Sequence, residues 1–151
     1  MRILIVAIGR ARAGPHLDLQ RFYAERLTWP LDIREVEERR KLSAPERKIR
    51  EGELLLAALP DRAFVVALDE RGKNVSSADF AKSIAKWQSS GSTIAFLIGG
   101  ADGHGDPVRA RADNLLALGT MTWPHLLVRA MLCEQLYRAQ QILAGHPYHR
   151  E

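Results

Sequence analysis

The sequence predicts an α/β fold: a mostly parallel sheet with flanking helices, in a single domain over residues 1–151. Three observations carry this. Short runs that are apolar on both faces, Ile3–Ile8, Ala63–Leu68 and Thr93–Ile98, each end in glycine or a charged turn, as buried parallel strands do. Segments of helical periodicity alternate with them. The chain is 46% hydrophobic and 26% charged, ordinary for a globule that closes one core without staples.

Taken in order, Ile3–Ile8 is the first strand. It is followed by Gly9, Arg10 and Arg12, is too short to span a membrane and lacks a signal-peptide layout. Leu17–Leu27 is a helix with Leu17, Phe22, Tyr23 and Leu27 as its apolar set. In Leu31–Glu37 apolar residues alternate imperfectly with charges, which suits a strand near an edge. Ser43-Ala-Pro-Glu46 has capping-box spacing and opens a helix to about Leu59. The strand Ala63–Leu68 runs into a turn, Leu68-Asp-Glu-Arg-Gly72. Ser76-Ser-Ala-Asp79 opens the next helix, with Phe80, Ile84 and Trp87 on one face. Thr93–Ile98 precedes a glycine-rich turn, after which Asp106 is the expected N-cap and Pro107 the first helical residue. Leu115–Leu118 is a short last strand. The final helix, about Pro124 to Ala144, carries Leu127, Val128, Met131, Leu132, Leu136, Ala139, Ile142 and Leu143. That set exceeds one stripe, so the helix is expected to bury one side on the sheet and another on a partner subunit.

A formal net charge of +4 permits a nucleic-acid partner without demanding one. The charge-dense stretch Arg34–Glu51 holds seven basic and five acidic residues. It reads as a solvated helix and loop, with an RNA-facing rim as the sharper alternative. The lone Cys133 forms no internal disulfide, so a reducing, cytoplasmic setting is expected. It lies in an apolar helical run and reads as a small buried hydrophobe rather than a nucleophile. His146 and His149 have the spacing of a ligand pair, but nothing completes a tetrahedral set, so no metal is expected.

Ile98-Gly-Gly-Ala-Asp-Gly-His-Gly105 follows a buried strand and precedes a helix, where backbone can approach a ligand closely. Its glycines lack the dinucleotide fingerprint. With Leu68–Gly72 and Gly119–Pro124 it makes three turns after three apolar runs, which together can form one pocket, its adenine end bounded by groups such as Leu68 and Met121. The polar, aromatic tail His146-Pro-Tyr-His-Arg-Glu151 is not the composition of a fraying terminus and reads as part of a site.

Leu68-Asp-Glu-Arg-Gly-Lys73 with Ser76-Ser77 and Phe80-Ala81, Phe96-Leu-Ile-Gly-Gly100 with Gly103, Met121-Thr-Trp-Pro-His125, Glu134-Gln-Leu-Tyr-Arg138 and the His146–Glu151 tail together resemble the ribosomal large subunit methyltransferase H family, the pseudouridine N3-methyltransferases of the SPOUT class. The resemblance covers essentially the whole chain and is strongest from Leu68 onward. It implies a C-terminal trefoil knot, a departure from ordinary connectivity. It also implies a homodimer, S-adenosylmethionine as cofactor, and methylation of N3 of a pseudouridine in 23S rRNA of the assembled ribosome. Cofactor contacts would fall on Leu68, Gly100, Gly119, Thr120, Met121, Thr122, Trp123 and Pro124. Within it, His149 is read as general base or proton relay. Tyr148 is read as a stacking or edge-bonding group, and Arg138 as a stabiliser of the anionic imide or a phosphate contact. Ala101-Asp102 departs from the family's Pro-Glu, and Gly119 from its common Ser. Two readings compete: a SPOUT methyltransferase acting on another rRNA or tRNA nucleotide, and a non-catalytic ribosome-binding protein. A nicotinamide oxidoreductase ranks behind them.

Overall fold

The computed structural model describes residues 1–150; Glu151, the last residue of the tail motif, lies outside them. Five strands, β1 (Arg2–Ile8), β2 (Leu31–Val36), β3 (Phe64–Asn74), β4 (Thr93–Ile98) and β5 (Asn114–Ala117), form one sheet in the order β2-β1-β4-β3-β5. Every neighbouring pair is parallel. Five helices connect and cover them: α1 (Pro15–Ala24), α2 (Ala44–Ala57), α3 (Ser77–Trp87), α4 (Asp106–Arg111) and α5 (His125–Leu143).

The apolar runs are buried on both faces because parallel strands alternate between two covered layers. Ile3, Ile5 and Ala7 of β1 join α3 and α5, through Ile84, Trp87, Leu132 and Leu136, in one core cluster. Leu4, Val6 and Ile8 join Leu55 of α2 and Val108 of α4 in the other. The half-polar β2 lies at the edge, as its pattern predicts.

Local signals place most boundaries. Ser43 caps α2 by accepting from the Glu46 N–H at 3.3 Å, and Ser76 caps α3 by accepting from Asp79 at 3.1 Å. Gly105 rather than Asp106 is the N-cap of α4, so Asp106 is the first helical residue and not the cap that the sequence predicts. The second buried side of α5 is supplied by α1 and α3 of the same chain, where the sequence pattern points to a partner subunit. Cys133 is fully buried there, and burial pushes its thiol up to about 12, as an inert core group requires.

The segment read as a turn after Leu68 is a continuation of β3. Leu116 of β5 pairs with both Leu68 and Lys73, so residues 69–72 bulge out between two paired stretches of one strand. Gly72 permits this: a Cβ there would stand 2.6 Å from the Leu115 carbonyl carbon and the Leu116 nitrogen. The colliding atoms are backbone, so the ladder itself would have to shift. Gly72→Ala is expected to destabilise the fold by about 1–3 kcal/mol. The expected readout is a lower urea midpoint with an unchanged slope; an unchanged midpoint would mean that β3 and β5 do not touch at this point.

Candidate functional site

The three turns singled out in the sequence meet at the C-terminal strand ends. They enclose a cleft of about 690 Å³ lined by Leu68, Gly100, Gly119, Met121, Thr122, Trp123 and Pro124, with Ile98 and Val128 adding apolar surface. The size is that of a small-molecule site. Of the predicted cofactor residues only Thr120 does not line the cleft; it is exposed. The Gly119–Pro124 loop is held at both ends. The Gly119 N–H donates to Asn74 Oδ1 at 3.0 Å, and the Trp123 indole donates to the Leu118 carbonyl at 2.8 Å.

The contacts of several side chains in or beside the cleft wall are set by the fold rather than by neighbours in sequence. Asp69, in the bulge, accepts from Arg109 Nε at 2.8 Å across 40 positions. Burial raises the Asp69 carboxyl, but the Arg71 N–H and Arg109 outweigh it and hold the group below its usual range. Glu51 of α2 packs under the glycine turn: a Cβ on Gly100 would lie 3.0 Å from one of its carboxylate oxygens. Burial and the neighbouring Asp102 raise the Glu51 carboxyl. His104 is 3% exposed, and its Nε2 lies 3.3 Å from the Leu97 carbonyl. A carbonyl only accepts, so Nε2 carries the proton and Nδ1 is a bare, buried acceptor without a partner in the cleft wall. His125, the first residue of α5, also lines the cleft with a partnerless Nδ1.

These features suit a nucleoside-bearing cofactor: glycine backbone open to close approach, an apolar slot, and buried polar atoms awaiting partners. Among the described residues no three His, Cys, Asp or Glu side chains cluster as a metal site, and no helix is long and apolar enough to cross a membrane.

The three predicted catalytic residues also come together, but elsewhere. Gly145, in the left-handed region at φ 72°, ends α5 in a Schellman turn: its N–H bonds the Ile142 carbonyl at 3.1 Å and the His146 N–H bonds that of Gln141 at 2.9 Å. This folds the tail back on the helix. Arg138 donates to Glu134 and, at 3.1 Å, to His149 Nδ1; the Tyr148 hydroxyl donates to Glu134 at 3.1 Å. Tyr148 also packs edge-on against Tyr137, with ring centroids 4.8 Å apart. Burial and Glu134 push the Tyr148 phenol up to about 12, so it stays protonated. Arg138 stands 13 residues beyond His125, roughly 20 Å along the helix at 1.5 Å per residue. Within one chain, the tail cluster and the cleft are separate.

The charge-dense stretch is largely neutralised by its own neighbours. Arg34 pairs with Asp32 at 3.0 Å, Arg39 with Glu37 at 2.7 Å, Arg40 with Glu38 at 2.9 Å, Arg47 with Asp102 at 3.0 Å and Arg50 with Glu53 at 3.0 Å.

Burial drives the His104 pKa below its usual 6.5. The unfolded chain then takes up a proton first as pH falls, so the His104 contribution to stability is complete above about pH 6.5 and is lost below it. His125, also lowered by burial and by Arg129, adds in the same direction. The melting temperature should therefore drop between pH 7.5 and pH 5, and His104→Leu should shrink that drop. A drop of unchanged size in the variant would mean that His104 titrates normally.

Comparison with known proteins agrees with this architecture. A family described as "Predicted SPOUT methyltransferase" matches residues 1–149. The chain is 61% identical to the Ribosomal RNA large subunit methyltransferase H of Paramagnetospirillum magneticum, over 99% of each chain. It is 58% identical to the protein of that name from Rhodospirillum centenum and 55% to that from Rhodospirillum rubrum, again over 99% of each chain.

Proposed function

The chain belongs to the SPOUT methyltransferase family, and from that premise we propose that it is an S-adenosylmethionine-dependent methyltransferase of large-subunit ribosomal RNA. Its target is N3 of a pseudouridine in the 23S rRNA of the assembled ribosome, and it works in the cytoplasm, where ribosomes are. The observation that carries this reading is the single cleft made by Leu68, Gly100 and the Gly119–Pro124 loop. The relatives of the same length are named large-subunit rRNA methyltransferases. The knotted C-terminal path belongs to the same reading.

S-adenosylmethionine, when bound, supplies an electrophilic methyl group. Leu68, Met121 and Val128 would hold the adenosine by apolar contact, and Gly100 and the Gly119–Pro124 loop would hold it through their backbone. His104 Nδ1 is free to accept a hydrogen bond. Holding both reactants in one cleft would make the transfer effectively unimolecular.

On the substrate side, the imide N3 becomes a nucleophile as its proton passes to solvent water and charge accumulates on the flanking carbonyls. Arg138 can only donate, so its contact with His149 Nδ1 makes that nitrogen the acceptor and leaves Nε2–H outward as a donor. We assign His149 Nε2–H to one of those carbonyls. Arg138 holds its tautomer and adds positive charge, and Tyr148 stacks against the extruded base. To serve as general base, His149 would first have to release Arg138.

The distance between tail and cleft supports a homodimer in which each tail serves the partner's cleft. A second hollow of about 480 Å³ between α1, α3 and α5, lined by Leu19, Tyr23, Val75, Phe80 and Met131, offers apolar surface for such pairing. Leu19 and Phe22 are 42% and 48% exposed beside it.

Incubation with labelled S-adenosylmethionine and ribosomes lacking the modification should place one methyl group on N3 of a 23S rRNA pseudouridine, mapped by mass spectrometry. Transfer to a different atom would reject the N3 assignment. His149→Ala should lower turnover by about 10²-fold or more while leaving cofactor affinity intact. Mixing it with an inactive cleft variant, Gly100→Val, should restore activity if tails cross between subunits. No restoration in mixed dimers would confine each active site to one chain.

A further inference from the structure

Arg129 of α5 is 1% exposed yet carries a full charge. One of its terminal nitrogens bonds Glu35 at 2.6 Å; the other bonds the Ile8 and Gly9 carbonyls at 2.8 Å each. The same Glu35 oxygen accepts the Ala11 N–H at 2.6 Å. Burial pushes the Glu35 carboxyl up, but the Ala11 N–H, Arg129 and Arg10 outweigh it and hold it below its usual range. One buried guanidinium thus clamps the start of the Gly9–Gly14 loop to α5 and to the edge strand β2. Burying an ion costs several kcal/mol unless its partners are well placed, and here those partners set the path of a surface loop.

That loop lies beside the cleft. A Cβ on Gly9 would stand 3.7 Å from His125, a cleft residue. It presents Arg10 and Arg12, both exposed, and among the described residues neither has an ion-pair partner within 4 Å, unlike the self-neutralised arginines of the Arg34–Arg50 run. Lys48, likewise without a pair among the described residues, lines the cleft. A polyanion gains most from cations that are not already neutralised by a neighbour, because it need not displace an internal carboxylate.

We propose that the Gly9–Gly14 loop is a preset phosphate-binding arm that grips the RNA backbone beside the cleft through Arg10 and Arg12, with Arg129 and Glu35 as the positioning brace. This rests on the RNA-substrate reading above and names the surface that serves it. The loop binds phosphate and carries no base-reading role; it sets where the strand lies relative to the methyl donor.

The test is binding to ribosomes lacking the modification, measured across a salt series, with S-adenosylhomocysteine affinity measured separately by calorimetry. The exposed double variant R10A/R12A should bind ribosomes on the order of tenfold more weakly near 0.1 M salt. Its log-affinity against log-salt slope should be shallower by about 0.7 for each phosphate of single-stranded RNA that the variant no longer neutralises. S-adenosylhomocysteine affinity should not change. R39A/R40A, which removes two paired arginines, should leave the slope as it is. E35Q keeps both loop cations but loosens the brace, so it should weaken ribosome binding with no change in slope. A wild-type slope in R10A/R12A overturns the arm, as does a reduced slope in R39A/R40A alone. Wild-type protein that binds S-adenosylhomocysteine but not ribosomes would instead overturn the ribosomal substrate, and the arm with it.

Discussion

Much of this structure depends on one guanidinium placed where almost no water reaches it. Arg129 sits in the second turn of α5 and ends the first strand by taking two carbonyls at its close, while Glu35 from the edge strand neutralises it. A charge in that position is tolerated only when its neighbours are fixed, and those contacts tie α5 to the ends of β1 and β2. The helix then carries the cleft wall at its first turn and the tail cluster near its last. An apolar residue of the same volume would fill the space but would leave the carbonyls at the end of β1 without partners, a penalty of about 1–3 kcal/mol each.

The cleft is a consequence of parallel pairing. Parallel strands leave their C-terminal ends on one side of the sheet, and ligands collect there. What shapes this cleft is a defect in one strand: the bulge of β3 turns residues 69–72 out of the ladder and places Asp69 against Arg109 and Leu68 against the glycine turn. Glu51 from the opposite layer fills the space that a side chain at Gly100 would need. The wall is therefore assembled from both layers as well as the sheet between them.

Helix length has a chemical consequence. α5 is 19 residues long, so groups at its two ends cannot act on one small molecule. The proposed dimer, in which tails are exchanged, would meet the separation without moving either site. The Schellman turn at Gly145 presets the tail on the helix surface, so little ordering is needed to present it.

The strands, most helix starts and the three segments that meet at the cleft were legible in the order of residues alone. Unbroken apolar runs, serine caps and glycine turns are local signals, and they work because neighbouring residues decide the conformation. The tail stood out as a run of histidine, tyrosine and arginine, and the fold lays it back on α5. That residues 69–72 continue a strand is knowable only from the folded chain, because it shows in the double pairing of Leu116, more than forty positions away. Folding likewise settles that α5 is covered by α1 and α3, and which arginines keep their charge available. Arg39 and Arg10 look alike in sequence, but among the described residues the fold brings a carboxylate within 4 Å of the first only, while Glu35 acts on Arg10 from farther away. Contacts between residues distant in the chain set the electrostatics of the site, and such contacts exist only once the core has closed.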